Sequence, residues 1–128
     1  MKVGASTLRV LLENNVLEIK FKRRRPKPGG SNTRRMLCTN SSIILQSDGG
    51  RRTLHYKKPT TGPKYNPGAK GLVLAWDILK QDYRAISTDN CQIISQMPVS
   101  GDGQDFWEYF NNTIYPMTPG EKGSFFNI

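Results

Sequence analysis

LVLAWDILKQDYRAISTDN, residues 72–90, is the most regular stretch of this 128-residue chain. An apolar run ends in Trp76-Asp77, a short polar interval follows, and a second alternating segment starts at Asp82. Two such runs separated by a few turn residues predict a β-hairpin. In that hairpin Trp76 and Tyr83 lie close together across the ladder, and an aromatic cross-strand pair stabilises by roughly 0.2–1 kcal/mol.

The charged residues beside this turn leave two interpretations open. Asp77 and Arg84 can pair or flank the turn, or Asp77 and Asp82 can form a catalytic pair of carboxylates. The sequence supplies no nucleophile, second base or metal cluster beside the two aspartates, and catalysis needs such a constellation. We therefore expect a protein that is not an enzyme.

The segments on either side extend the β pattern. Residues 89–97, DNCQIISQM, predict a last strand with Cys91, Ile93 and Met97 on one face. Residues 16–24 alternate strictly and residues 33–39 resume the extended pattern, which predicts a second hairpin.

The N-terminal residues STLRVLLENN predict a short helix. Leu8, Leu11 and Leu12 recur at helical spacing, Ser6 or Thr7 can cap the start, and the Asn pair at 14–15 ends it.

The region between the hairpins is harder to interpret. SIILQ (42–46) predicts a short strand or a helical turn, SDGG (47–50) a turn, and RRTLHY (51–56) another short strand.

Charge is distributed unevenly. The chain carries 19 Lys or Arg and 10 Asp or Glu, for a formal net charge of +9. Fourteen of the basic residues and a single acid, Asp48, lie between Lys20 and Lys70, whereas from Gly71 onward there are three basic and seven acidic residues. A solvated charged surface is the plain alternative, but a self-repelling block of this size favours an anionic partner, most commonly nucleic acid.

Two Pro- and Gly-containing basic loops, 23–35 and 57–70, concentrate this charge. Basic groups suit phosphates, and nearby tyrosines suit the stacking of unpaired bases. The candidate nucleic-acid-binding residues are Lys22, Arg23, Arg24, Arg25, Lys27, Arg34, Arg35, Arg51, Arg52, Tyr56, Lys57, Lys58, Lys64, Tyr65 and Arg84. Sequence-specific readout is not expected, because no base-reading helix is evident.

Three features argue against other classes. His55 is the only histidine, and Cys38 and Cys91 lack partners at metal-ligand spacing, so no zinc or other cofactor is expected. Both cysteines stand in apolar contexts typical of small buried side chains. The sequence shows neither a signal-peptide core nor an apolar run of about 18 residues, which favours a reducing cytoplasm over a membrane.

Residues 98–128 form an acidic, aromatic C-terminal extension that opens with Pro and Gly. DFWEYF (105–110) predicts a short helix with Phe106 and Phe110 on one face. This helix can dock on the preceding domain, bind a partner protein, or fold back over the basic surface as a nucleic-acid mimic. The candidate partner-binding residues are Asp105, Phe106, Trp107, Tyr109 and Phe110.

The helix, the strand ending in basic residues, MLCT (36–39) and residues 72–94 together resemble a phage-encoded Sm-like, SH3-type β-barrel family related to the WYL domain. The likeness covers about residues 7–97. Its specific positions are Trp76-Asp77, Asp82-Tyr83-Arg84 and Asp89, whereas Gly71-Leu72-Val73 stands in place of the Trp-Tyr-Leu that names the larger family.

The resemblance implies a mainly β fold: a small, strongly bent, five-stranded barrel over 1–97, with a short N-terminal helix. It implies a viral protein in the cytoplasm of an infected bacterial host, with Arg84 as an anion contact and edge strands through which copies can associate. The expected function is weakly sequence-specific DNA or RNA binding in viral replication, recombination or transcription control. The alternative is an adaptor or inhibitor that binds a host or viral protein complex (a polymerase, nuclease or defence system) through the C-terminal aromatics.

Overall fold

A computed structural model describes residues 4–22, 33–54, 56 and 72–117. Their core element is a five-stranded antiparallel sheet in the order β4-β3-β2-β1-β5. The elements in chain order are α1 (Ala5–Asn14), β1 (Asn15–Lys22), β2 (Thr33–Thr39), α2 (Ser42–Leu45), α3 (Asp48–Arg52), β3 (Leu72–Asp77), β4 (Asp82–Ser87), a 3₁₀ turn (Thr88–Asn90), β5 (Cys91–Pro98), α4 (Gln104–Tyr109) and a π-helical turn (Phe110–Ile114). The mainly β class and the N-terminal helix are confirmed.

The hairpin predicted from residues 72–90 is present. Trp76 lies directly opposite Tyr83 in the β3–β4 ladder, and their ring centroids are 5.2 Å apart in an edge-to-face arrangement. The turn residue Gln81 adopts a left-handed conformation with φ 58°. β1 and β2 form the other predicted hairpin, with Ile19 opposite Met36. The structure places residues 33–35 within β2, so the first basic loop ends before Thr33.

The last strand departs from simple alternation because it contains a bulge. In the β1–β5 ladder Glu18 pairs with Ser95 and Ile19 pairs with Ile93, which leaves Ile94 as an extra residue. Because of the extra residue, the side chains that follow Ile94 point to the opposite face from the one that simple alternation would give them. Cys91 and Ile93 therefore pack on one face of the sheet, and the prediction that Met97 shares that face is wrong.

The sheet is strongly rolled. β4 and β5 are its two edges, about 19 Å apart if four strand spacings lay flat. Only the three residues of the 3₁₀ turn join Ser87 to Cys91, a link that reaches at most about 14 Å. The edges must therefore curl toward each other. They share no ladder among the described residues, so the sheet is not closed.

Each face of the sheet has its own apolar cluster. The first lies beneath α1, where Leu8 and Leu12 pack on alternate residues of all five strands. Gly4, rather than Ser6 or Thr7, is the N-cap of α1, without a side-chain cap bond. At the other end of the helix, the side-chain amides of Asn14 and Asn15 donate to carbonyls of its last turn, as an Asn pair that stops a helix should.

The second cluster lies on the opposite face, beneath α2, α3 and α4. It joins Leu37 and Trp76 of the sheet to Ile44 of α2 and Phe106 of α4. SIILQ forms a helix, one of its two predicted outcomes, but the strand predicted at 51–56 is wrong. Residues 48–52 continue as a helix, because the Ser47 hydroxyl caps the backbone N–H of Gly50.

The described part of the C-terminal extension packs against this second face. Phe106 and Ile114 are at most 1 % exposed there. Gly103 adopts φ 77° at the start of α4, and a Cβ at this position would lie 2.7 Å from Cδ1 of Ile44. A glycine is therefore needed both for the backbone conformation and for the close approach of α4 to α2.

Candidate nucleic-acid interface

The described residues are electrically balanced. They contain nine Lys or Arg and nine Asp or Glu, so their formal charges cancel. The net charge of +9 therefore comes from sequence outside the described ranges: four basic residues in 23–32, four in 57–71, and Lys2, with Lys122 offset by Glu121. We call 23–32 and 57–71 the two basic segments.

Eight of the fifteen candidate nucleic-acid-binding residues lie in these segments, outside the described residues: Arg23, Arg24, Arg25, Lys27, Lys57, Lys58, Lys64 and Tyr65. Among the other candidates, Lys22, Arg52 and Arg84 are exposed and form no ion pair within the described part of the chain. These three remain available to a phosphate. They lie on three different elements: Lys22 ends β1, Arg52 ends α3 and Arg84 lies in β4.

Arg34 has an internal partner. Its Nη2 donates to Oδ2 of Asp77 at 2.9 Å, and its guanidinium lies 5.8 Å from the ring centroid of Phe21. The side chain of Asp77 is 1 % exposed, against 16 % for Arg34. This buried pair joins the start of β2 to the end of β3, and an Arg already engaged by a carboxylate contributes less to an anion site.

Asp77 also organises the β3–β4 turn. Its Oδ1 accepts the backbone N–H groups of Leu79 and Lys80, both at 3.1 Å. Burial raises the pKa of the Asp77 carboxyl above its ordinary value, against the opposing effects of these N–H groups, of Arg34 and of Arg84. Of the two interpretations for Asp77 and Arg84, pairing does not occur, although the Arg84 charge is close enough to act on the carboxyl.

Asp77 and Asp82, the possible catalytic pair of carboxylates, each have hydrogen-bond partners of their own. The two residues are direct cross-strand partners. Asp77 is buried and fully engaged by Arg34 and the turn, whereas Asp82 is exposed and accepts the backbone N–H of Tyr83 at 2.8 Å. Both carboxylates therefore have local structural roles.

Arg35 and Arg51 also pair with acids. Arg35 Nη1 lies 3.3 Å from Glu18 Oε1, and the other carboxylate oxygen of Glu18 accepts the hydroxyl of Ser95 at 3.2 Å. Arg51 pairs with Asp48 at the surface, 2.6 Å apart on α3. The first pair links three strands, while an exposed pair such as the second stabilises little.

Three aromatic side chains from different parts of the chain meet at the second face of the sheet. Tyr56 lies edge-to-face against Trp76, with centroids 5.1 Å apart, and 6.3 Å from Tyr83. The two tyrosine hydroxyls are 3.0 Å apart and share a hydrogen bond. Burial, reinforced by the Tyr56 hydroxyl, raises the pKa of Tyr83. We call these three residues the aromatic triad.

The sequence singles out each of these three aromatic residues, but it does not predict that Tyr56 contacts the other two. Tyr56 was a candidate stacking residue and Trp76 with Tyr83 a packing pair. No periodic signal connects Tyr56 to the hairpin, because the Pro- and Gly-containing segment 57–71 separates the two in sequence. It is fixed by the bond from its backbone N–H to the carbonyl of Gly50 in α3.

The candidate partner-binding residues divide by burial. Phe106 and Phe110 are 1 % and 6 % exposed, so they are not available to a partner while α4 is docked. Trp107 and Tyr109 are half-buried and Asp105 is exposed. Sequence reasoning overlooked Tyr115, which follows the π-helical turn and is 68 % exposed.

Trp107 packs on α3. A Cβ at Gly49 would lie 2.9 Å from Cζ2 of the indole, so the ring sits directly on the helix backbone. On the same side of the sheet, burial and the Glu18 charge raise the pKa of Tyr109. Both side chains therefore contribute to docking of the extension.

The first face holds both cysteines. Cys38 and Cys91 are buried, and neither is in a disulfide. Burial, with smaller effects of Asp77 and Cys91, raises the pKa of the Cys38 thiol well above its usual value. In the parts of the chain that the structure describes, no three His, Cys, Asp or Glu residues are grouped to hold a metal ion, and no helix is long and apolar enough to cross a membrane.

Comparisons with protein-family models, with curated proteins and with solved structures gave no match. The class that the fold defines is thus a mainly β domain, with a rolled five-stranded antiparallel sheet and helices on both faces.

Proposed function

We propose that this chain is a non-catalytic nucleic-acid-binding protein that uses the two basic segments to contact phosphates. The observation that carries the proposal is the charge balance: the described residues are neutral, and eight of the nine excess positive charges lie in 23–32 and 57–71. Excess charge spread over a surface has many explanations. Its confinement to two segments on a neutral framework favours a dedicated anionic partner.

A rolled antiparallel sheet suits this role. With β1 between β2 and β5, and with the two edges drawn together by a three-residue link, we propose that the sheet is a small, incompletely closed barrel of the SH3 or Sm-like type, as in the phage family that the chain resembles. The barrel would be the scaffold, and the basic segments would supply the phosphate contacts. Because phosphate contacts carry no sequence information, binding should be weakly specific.

The test is a series of electrophoretic-shift or anisotropy titrations with single- and double-stranded DNA and RNA at two salt concentrations. Six to ten phosphate contacts predict a loss of roughly 10³–10⁵ in affinity between 50 and 200 mM salt. A binding isotherm that barely moved with salt would overturn the proposal.

Matched charge variants locate the contacts. Arg23→Gln with Arg24→Gln removes two charges from a basic segment, and Arg9→Gln with Lys80→Gln removes two exposed charges from the neutral framework. The net charge falls by two in both double variants. The segment variant should flatten the log–log salt slope for duplex DNA by about 1.8, or roughly 0.9 per lost contact. Equal effects of the two double variants would mean that net charge, and not the segment, drives binding.

A second candidate function is an adaptor that binds a protein complex through the C-terminal extension. Tyr115, which is 68 % exposed and whose ring centroid lies 6.4 Å from that of Phe110, favours this candidate. Truncation after Met97 would remove the buried Phe106 and Ile114, so substitution of Tyr115 by Ser is the cleaner test. Two results together would favour the adaptor: the wild type binds no nucleic acid at low salt, and Tyr115→Ser loses a partner protein that the wild type captures.

A further inference from the structure

The aromatic triad combines exposed ring surface with unused hydrogen-bonding capacity. Trp76 is 4 % exposed, and its indole Nε1–H has no acceptor within the described part of the chain. The hydroxyls of Tyr56 and Tyr83 share one hydrogen bond, which uses one of their two protons. Packing alone does not explain an indole N–H left buried without a partner, since such groups are normally satisfied.

The three rings of the triad pack edge against face. All three ring pairs are edge-to-face, with interplanar angles of 79°, 74° and 83°. Each edge-to-face contact places a ring edge against one face of its partner, so these contacts occupy at most three of the six faces. Trp76 is enclosed, whereas Tyr56 and Tyr83 are half-buried and keep part of their surface exposed to solvent.

The position of the triad matches a nucleic-acid chain. Tyr56 is followed directly in sequence by Lys57 and Lys58, the first two cations of the second basic segment. Tyr83 lies on β4, an edge strand of the sheet. A phosphate backbone that contacts Lys57 or Lys58 would therefore pass close to Tyr56, because these residues adjoin it in the chain.

From these contacts we propose that the triad is a stacking site for an unpaired nucleobase, so that the ligand is single-stranded nucleic acid. The inference rests on the proposed function and adds to it that the nucleic acid is single-stranded. A base stacks on Tyr56 or Tyr83, and its ring oxygens or nitrogens accept from the free tyrosine proton. Duplexes bind only through their phosphates, because their bases are already stacked.

The experiment compares an oligothymidylate of about 20 nucleotides, longer than the roughly 4–16-nucleotide sites of single-strand-binding folds, with an abasic strand of the same length. Wild type should bind the base-containing strand roughly 5- to 150-fold more tightly, the range that one stacked base provides. Tyr56→Leu and Tyr83→Leu remove a ring but keep an apolar side chain, and should reduce that preference. Tyr56→Phe keeps the ring and most of the preference, and Tyr109→Leu, a half-buried tyrosine outside the triad, should leave it unchanged.

A second readout is the emission of Trp76 in a Trp107→Phe background, where it is the only tryptophan. The base-containing strand should change this emission and the abasic strand should not. Binding of both strands with equal affinity, or a preference that survives both Leu variants, overturns the stacking site while the proposed function stands. Absence of binding to every strand at low salt overturns both.

Discussion

Replacement of Asp77 by Ala should be among the most destabilising single changes in this protein. The substitution removes the 2.9 Å ion pair with Arg34 and the two N–H bonds of the β3–β4 turn. Breaking a buried ion pair by removing one partner costs about 3–5 kcal/mol. Because Arg34 is 16 % exposed and regains some hydration, the lower end of that range, about 3 kcal/mol, is expected.

Two companion variants separate the contributions at this position. Asp77→Asn keeps an oxygen that can accept the N–H groups of Leu79 and Lys80 but loses the charge, so it should cost less, about 1–2 kcal/mol. Asp82→Asn is the matched control: it lies directly opposite Asp77, is exposed, and should change stability by no more than about 0.5 kcal/mol.

Urea unfolding followed by circular dichroism measures all three variants against wild type. The expected order of stability is wild type and Asp82→Asn together, then Asp77→Asn, then Asp77→Ala. A cost for Asp77→Ala below about 1 kcal/mol, or one no larger than that of Asp82→Asn, would refute the reasoning. Such a result would mean that the attraction between Arg34 and Asp77 does no more than balance the cost of desolvating the two charges. It would also mean that the β3–β4 turn keeps its geometry without the Asp77 carboxylate.

Two substitutions and one thiol-reactivity measurement test the packing of the two faces. Gly49→Ala should destabilise by about 1–3 kcal/mol, measured by thermal unfolding, because its Cβ would lie 2.9 Å from the Trp107 ring. Gly4→Ala has open space around it and should cost less, no more than about 1 kcal/mol, because only the preference for glycine at the N-cap is lost. Phe106→Ala should lower the free energy of unfolding, measured in urea, by about 3–5 kcal/mol, because it removes the ring of a residue that is 1 % exposed and leaves a cavity. An equal effect of Tyr115→Ala, at a residue that is 68 % exposed, would show that α4 is not docked. Both buried thiols should resist Ellman's reagent in the native protein and react together in urea; fast reaction at neutral pH would contradict their burial.

The two hairpins could be predicted from the sequence because the apolar or alternating pattern of each strand is complete within that strand. The apolar run before Trp76 and the alternation after Asp82 are complete within residues 72–90, and the ladder follows them. The bulge at Ile94 was not predicted, although the adjacent Ile93 and Ile94 interrupt the alternation of this strand. Two adjacent apolar residues also occur in strands without a bulge, and its position is defined only by the pairing with β1, where the register shifts after Glu18.

The glycine pair at 49–50 misled sequence reasoning for a different reason. Two glycines after Ser-Asp favour a turn, but Gly50 lies in α3, where a Cβ would collide with backbone carbonyls of Ile44 and Leu45. Its lack of a side chain serves the close approach of two short helices. The Arg34–Asp77 pair was beyond sequence reasoning as well, since it joins residues 43 positions apart.

The neutrality of the framework changes what the net charge of +9 implies. If the excess cations were spread over the sheet, their mutual repulsion would destabilise the fold, and a bound polyanion would raise its stability. Here three of the six described candidate arginines and lysines are already paired with acids inside the framework, by Asp77, Glu18 and Asp48. If the chain binds nucleic acid as proposed, folding and anion binding would thus depend on largely separate residues. Neutralising a basic segment should change affinity and salt dependence with little change in unfolding free energy, whereas changing Asp77 should do the reverse.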